Sequence, residues 1–404
     1  MSRGVAGLVA LAVAGIGILA VSLRVEHHQS TALPVPTGPF AVGRTSYDWV
    51  DNATADPLAP KAGAKRELLA WVWYPVSVGR SDTIDAYLPA NVRSAVDRAR
   101  GPVIAGLLTR DLAKVMGHSL RGALVSTRER SYPVVIFRGG ASAEVWNYSS
   151  LTEDLASHGY VVVGFDAPYR TNVVVFPDGR TLRRAPANDP ERAIGAADSS
   201  SRINKLLAAW TGDVGYALDR LGQLNAPGSG SNFAGRLDMS RVGVFGHSFG
   251  GATAAAFCTE DPRCTAGIDI DGAPIGDVIS EGIHRPFMFL LSDHGTASDR
   301  DGRVIMANIK SIADRLPPRE GLTVSIHGAS HFLFSDDGAL LKSHILVGIL
   351  RFIGAVGIDG RRQIAVTAHC VSSFFDASLR GSGGAPIDVS SHAAMPSTLD
   401  CIKR

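Results

Sequence analysis

The run Gly246-His247-Ser248-Phe249-Gly250 sets a serine between two glycines at a spacing that nucleophilic catalysis uses. The apolar stretch Val242-Gly243-Val244-Phe245 precedes it, and the small-residue stretch Gly251-Ala252-Thr253-Ala254-Ala255-Ala256 follows. Strand before and helix after is the context in which such a serine occupies a tight, strained turn with its hydroxyl exposed. The flanking glycines remove side chains that would clash there. The helix N-terminus beneath favours the negative charge that grows on an attacked carbonyl. A serine hydroxyl is a weak nucleophile, so it needs a histidine base that a third group orients. On such an elbow the chain order is serine, then acid, then histidine. His331, in the loop Gly328-Ala329-Ser330-His331 after a strand predicted over 322–326, is the base by position. His327 is the runner-up, but it adjoins the strand. His344 and His369 fall in predicted helices and read as structural, and His247 shapes the elbow without moving protons.

The acid has two candidates. Asp271 ends the strand predicted over 266–270, and Asp293 ends the next, over 287–291. Asp269 lies inside its strand, where alternation turns it to the other face. Spacing alone leans towards Asp293. An oxyanion needs two preorganised N–H donors. One is the backbone N–H of Phe249, directly after the nucleophile. The other comes from the loop Arg138-Gly139-Gly140-Ala141, with Ala141 favoured and Gly140 the alternative. Arg138 adds a cation that either meets an acidic substrate group or pairs within the protein. The chemistry is ester hydrolysis through an acyl-enzyme, with no metal or organic cofactor expected.

The elements that must hold these groups alternate along the chain. Residues 41–50, 67–76, 133–137, 160–165, 241–245, 266–270, 287–291 and 322–326 read as strands. Several are short continuous apolar runs, as in strands buried on both faces. Helices are predicted over 87–120, 151–157, 206–221, 251–257, 339–353 and 361–379, and a hairpin over 172–182. Alternation of this kind predicts an α/β fold, with a mostly parallel central sheet and helices on both faces. Residues 39–404 are expected to form one catalytic domain. The apolar helix at 102–120 reads as packed on the sheet, with the mouth of the site or a lipid surface as the second reading.

Residues 4–23 carry no charge, with Arg3 before them and Arg24 and Glu26 after. Twenty apolar residues can span a bilayer core, and Ala20-Val21-Ser22 offers a cleavage site. Residues 1–38 are therefore expected to be a hydrophobic anchor or a cleaved signal, followed by a linker containing Pro34 and Pro36. Either reading sends the body across a membrane, to an extracytoplasmic location. The cysteines agree: Cys258 and Cys264 flank a turn at Pro262, and Cys370 and Cys401 form a second candidate pair. No Cys-x-x-Cys or His-rich tract suggests zinc. Over 404 residues, 45% hydrophobic and 19% charged residues exclude a disordered chain, and a net charge of +2 supplies no field for nucleic acid. The partner implied by the serine chemistry is a small-molecule ester. The oligomeric state is not encoded in these patterns.

From about Phe40 to Leu379 the chain resembles the plasma-type platelet-activating factor acetylhydrolases and their bacterial relatives, which are α/β-hydrolases. Trp71-Val72-Trp73-Tyr74-Pro75, Tyr87-Leu88-Pro89, Tyr132-Pro133-Val134-Val135-Ile136-Phe137, Ala156-Ser157-His158-Gly159-Tyr160 and the run Phe245 through Thr253 carry the likeness. The resemblance implies an acid 23 residues beyond the serine, which is Asp271, and it matches His331 to the family's histidine. It also implies a short acyl chain on a glycerophospholipid, as in a 1-alkyl-2-acetylglycerophosphocholine, or on another small ester, which extends the expected partner to a lipid ester. The family often has Ser-His-Gly where this chain has Arg138-Gly139-Gly140. Gly328-Ala329-Ser330-His331-Phe332 is also similar to secreted polyester hydrolases of the cutinase-like kind, which take their acid from the later strand, at Asp293. A serine peptidase and a non-catalytic binding protein are the remaining alternatives.

Overall fold

The apolar runs pair side by side in the computed structural model, which describes residues 3–79, 82–194, 198–292, 300–317, 320–341, 348, 357–381 and 399–402. The main strands are β1 (Ala41–Ala55), β2 (Lys65–Val76), β3 (Val115–Arg121), β4 (Tyr132–Arg138), β5 (Val161–Asp166), β6 (Leu237–His247), β7 (Ala266–Ile270), β8 (Phe287–Leu291) and β9 (Gly321–Ile326). Their order across the sheet is β3-β1-β2-β5-β4-β6-β7-β8-β9. From β5 to β9 every neighbouring pair is parallel, whereas β1–β2 and β2–β5 are antiparallel. The short strands Thr31–Ala32 and Leu399–Ile402 lie at the two edges. Every residue of β4, β5, β7 and β8 is buried, which is why these segments read as unbroken apolar runs.

Alternation divides that apolar surface between two faces. Val135 and Phe137 join one core with Trp73, Trp146 and Tyr160. That core takes in α3 (Ser149–Ser157) and α7 (Gly360–Leu379) through Leu151, Leu155, Ile364 and Phe375. Val134 and Ile136 join the opposite core with Tyr74 and Val244. It takes in α4 (Ser199–Asn225), α5 (Phe249–Glu260) and α6 (Arg300–Ala313) through Val214, Ala254, Phe257 and Ile312. Burying each such side chain is worth about 1.5–3 kcal/mol, so the sheet is held from both sides.

The structure corrects the reading of 87–120 as one helix. Helix α2 covers Ala90–Val103, a single wide turn covers Ile104–Leu108, and β3 begins at Val115. Gly101 has φ 78° and Pro102 follows it, so the helical path is broken there. In β3, Val115, Gly117 and Ser119 are buried while Met116 is exposed, a period of two that the adjacent pair Val115-Met116 disguised. No apolar helix over 102–120 therefore exists to line a mouth. For the helix expected over 339–353, only Asp337–Leu340 and residue 348 are described as helical. The hairpin forms as expected, Val173–Val175 pairing antiparallel with Thr181–Arg183.

Arg3–His27 is one continuous helix, α1. Several side chains in its first half lie outside the described residues, and among the described residues no helix is long and apolar enough to cross a membrane. The stretch expected to be a linker is tied to the body. Thr31 and Ala32 pair with Val115 and Met116, and the Thr37 N–H and hydroxyl both donate to Asp154. Cys258 and Cys264 form a disulfide that closes the end of α5. Cys370 is buried in α7, and the side chain of Cys401 lies outside the described residues, so the second expected pair does too.

Candidate active site

Strand β6 runs through the core to His247, and Ser248 turns the chain into α5 at φ 57° and ψ −123°. Such a backbone is strained for any residue but glycine, and it persists only where the surroundings enforce it. The Ser248 N–H donates to the Ile270 carbonyl (2.8 Å), and the N–H groups of Gly251 and Ala252 donate to the Ser248 carbonyl (2.9 and 3.1 Å). The glycines are required by packing. A Cβ on Gly246 would overlap the Gly250 carbonyl, and one on Gly250 would overlap the carbonyls of Arg138 and Gly139. A Cβ on Gly251 would overlap Oδ1 of Asp269.

Three side chains converge at the carboxyl edge of the sheet. Ser248 Oγ lies 3.1 Å from Nε2 of His331, and His331 Nδ1 lies 2.7 Å from Oδ2 of Asp271. The Asp271 side chain is fully enclosed and its other oxygen accepts from the Ser292 N–H (2.8 Å). His331 is about one-third exposed, as a group that must reach a substrate should be. Asp271, at φ 56°, turns off β7 directly beside the elbow. His327 is exposed in the turn after β9, and Asp293 and His344 lie outside the described residues.

The histidine loop is held at two points. Gln363 of α7, fully buried, exchanges hydrogen bonds with the backbone of Ser330: its amide donates to the carbonyl (2.8 Å) and its oxygen accepts from the N–H (3.0 Å). Asp336 accepts from the N–H groups of Ser149 and Ser150 in the first turn of α3 and from the Tyr87 hydroxyl. Neither residue is marked by its local sequence, because each partner is distant in the chain.

The loop after β4 passes against the nucleophile: a Cβ on Gly140 would lie 3.3 Å from that of Ser248. The Gly140 N–H donates to Tyr148 Oη (3.3 Å), which leaves the tyrosine's own proton for Nδ1 of His247 at 2.8 Å. Burial, and next the neighbouring His331, push His247 down to about 3, so it stays neutral. Ala141 is partly buried against an apolar cluster that contains Phe249, Trp210 and Leu207. Phe249 N–H opens α5, where helical N–H groups have no partner within the helix. Arg138 is enclosed rather than open to a ligand. One of its nitrogens donates to the Phe165 carbonyl (2.6 Å), and the guanidinium lies between the rings of Phe165 (4.3 Å) and Trp210 (4.2 Å). Trp210 in turn meets Phe249 edge-on at 4.9 Å. Burial lowers Arg138 to about 10, which still leaves it charged at neutral pH.

Asp269 was expected on the far face of its strand. It is buried beneath the elbow, where Oδ1 accepts from the Gly272 N–H (2.8 Å), and burial raises its carboxyl to about 8. It therefore holds a proton at neutral pH and braces the elbow as a neutral group.

A mostly parallel sheet covered on both faces, with a serine elbow at its carboxyl edge, is the architecture of a carboxylic ester hydrolase of the α/β-hydrolase type. Residues 25–171 and 223–380 match the family model described as platelet-activating factor acetylhydrolase, isoform II, and the chain belongs to that family. It is 24% identical over 374 residues to a probable 1-alkyl-2-acetylglycerophosphocholine esterase of Arthroderma benhamiae, covering 87% of this chain and 89% of that one. It is 26% identical over 222 residues to the platelet-activating factor acetylhydrolase of Bos taurus, covering 51% of this chain and 48% of the bovine one. Among solved structures, a ferulic acid esterase from Streptomyces cinnamoneus superposes with a TM-score of 0.73 at 27% identity, covering 93% of this chain and all of that one.

Proposed function

We propose that this protein hydrolyses short-chain acyl esters of a glycerophospholipid through a covalent acyl-enzyme on Ser248. The observation that carries the reading is the hydrogen-bonded series from Ser248 Oγ through His331 to Asp271. His331 Nε2 takes the serine proton as Oγ attacks the ester carbonyl. Asp271 keeps the other ring nitrogen protonated and stabilises the imidazolium. The N–H groups of Phe249 and Ala141 receive the oxyanion. Ala141 is preferred to Gly140 because the Gly140 N–H is already given to Tyr148. His331 then protonates the departing alcohol, and water, activated by the same imidazole, releases the acyl group.

The apolar cluster of Phe249, Trp210, Leu207 and Ile203 beside the donors supports an acyl group of modest size. Phe332, 76% exposed next to His331, supports contact with a lipid or an aggregated substrate. The position of Asp271 favours this reading over the polyester-hydrolase one, whose acid would come from the strand after it. The disulfide supports an extracytoplasmic location.

The test is hydrolysis of para-nitrophenyl esters from acetyl to dodecanoyl by wild type and Ser248→Ala, followed by release of acetate from a 2-acetylglycerophosphocholine. Serine-dependent activity falling with chain length, and extending to the phospholipid, is expected. A preference for long chains, or for hydroxycinnamate esters of the ferulic acid kind, would refute the substrate assignment. Activity surviving Ser248→Ala would refute the mechanism.

A further inference from the structure

The C-terminal end of α1 is latched to the turn between α2 and β3. Arg24 donates to the Gly106 carbonyl (3.1 Å), Arg110 to the Glu26 carbonyl (3.3 Å), and the Asp111 N–H to the His27 carbonyl (3.0 Å). At this latch one potential ligand atom each from His27, His28 and Asp111 lies within 4.8 Å of the others. The two imidazoles meet edge to face at 4.7 Å.

The arrangement has the second layer that metal-binding histidines need. Nδ1 of His27, a largely buried residue, lies 2.8 Å from the Thr109 carbonyl. A carbonyl can only accept, so this nitrogen carries the proton. Nε2 is then a lone-pair donor in a fixed orientation, the usual state of a metal-bound histidine. Asp111 is fixed as well: Oδ1 accepts from the Ala113 N–H (2.9 Å), which leaves Oδ2 as the ligand oxygen. His28 is exposed, so its ring can close the remaining distance. Tetrahedral ligands at about 2.1 Å from an ion stand roughly 3.4 Å apart, so the required movement is small. His27 and Asp111 also line a groove of about 650 Å³, together with Asp97, Arg98, Gly101 and Pro102, which gives an ion and its completing water a way in.

We propose that His27, His28 and Asp111 form a binding site for a borderline divalent cation of the zinc class, which fastens the end of α1 to the catalytic body. Two imidazoles and one carboxylate select zinc, nickel or copper over calcium and magnesium, which prefer all-oxygen sets. The site is independent of the ester chemistry, and the sequence hid it because Asp111 lies far along the chain from the histidine pair.

Isothermal titration of the full-length, metal-stripped protein with Zn²⁺ tests it, alongside His28→Gln and Asp111→Asn. Wild type is expected to bind one equivalent that both variants lose or bind at least ~10-fold more weakly. Zn²⁺ should raise the melting temperature of wild type but not of His28→Gln. His28 is exposed, so that variant should fold, and unchanged hydrolysis of para-nitrophenyl acetate verifies it. No zinc binding by the folded wild type, equal binding by either variant, or equally tight binding of Ca²⁺ would overturn the proposal.

Discussion

Asp271→Asn separates the two candidate acids more sharply than any other substitution. Asparagine is nearly isosteric, it tolerates the left-handed backbone that Asp271 adopts at φ 56°, and its carbonyl can still accept from the Ser292 N–H. Its amide nitrogen would face His331 Nδ1, where the carboxylate oxygen now sits at 2.7 Å. An amide donates, so the imidazole must turn that nitrogen into an acceptor and carry its proton on Nε2. Nε2 then presents a proton to Ser248 Oγ and cannot remove one. An imidazolium and a carboxylate separated by 2.7 Å attract by roughly 6 kcal/mol at an effective dielectric near 20. A 10⁴-fold loss, the order seen when this tautomer is reversed in a serine triad, corresponds to about 5.4 kcal/mol. The two routes agree, so kcat on para-nitrophenyl acetate should fall about 10⁴-fold, with KM and the urea midpoint little changed. Asp293→Asn should leave kcat within a few-fold. The reverse pattern, with Asp271→Asn active and Asp293→Asn dead, would refute the assignment.

Gln363→Ala removes the clamp on Ser330 and should lower kcat about 10- to 100-fold with little change in KM, measured on the same ester; an unchanged kcat would show that the loop holds itself. Gly251→Ala forces a methyl group onto the Asp269 carboxyl and should cost about 1–3 kcal/mol by urea denaturation, and a loss below about 0.5 kcal/mol would contradict the packing argument. Asp269→Asn should gain stability on wild type as pH rises. The wild-type carboxyl, raised from 3.8 to about 8, contributes fully below pH 4 and loses that contribution up to pH 8, so the gap should widen by up to ~1.4 kcal/mol per unit and then level off. Parallel stability curves from pH 4 to 8 would mean that Asp269 is ionised in the folded protein.

Legibility of the fold and site depended on how local the signal was. The buried strands declared themselves as apolar runs because both of their faces are covered. The elbow was readable because its steric demands fall on neighbouring positions: Gly246, Gly250 and Gly251 each face a carbonyl or carboxyl at close range. Residues 87–120 misled because Val115 and Met116 continue the helical spacing of α2 across a break that Gly101 and Pro102 signal only locally. Spacing alone leans towards Asp293 and does not distinguish Asp271, since each follows an apolar run of the sequence that reads as a strand. The resemblance made that distinction, and Asp271 Oδ2 lies 2.7 Å from His331 Nδ1. Tyr148, Gln363 and Asp336 could not be read at all, because each acts on a partner brought near only by the sheet's crossovers.

Burial around Ser248 limits where charge can stand in the site. His247, Asp269 and Asp271 are buried titratable groups beside the elbow. Burial keeps His247 neutral down to about pH 3 and Asp269 neutral up to about pH 8. A cationic His247, with its ring 4.6 Å from that of His331, would repel the imidazolium formed during attack. An ionised Asp269 would instead place a second carboxylate near Asp271, whose charge already disfavours it. With both neutral at physiological pH, the proposed mechanism would set the imidazolium of His331 against Asp271 and the oxyanion against backbone N–H groups. The elbow's strain, its glycines and its two neutral neighbours are thus parts of one arrangement, in which the fold fixes where charge can develop before any substrate arrives.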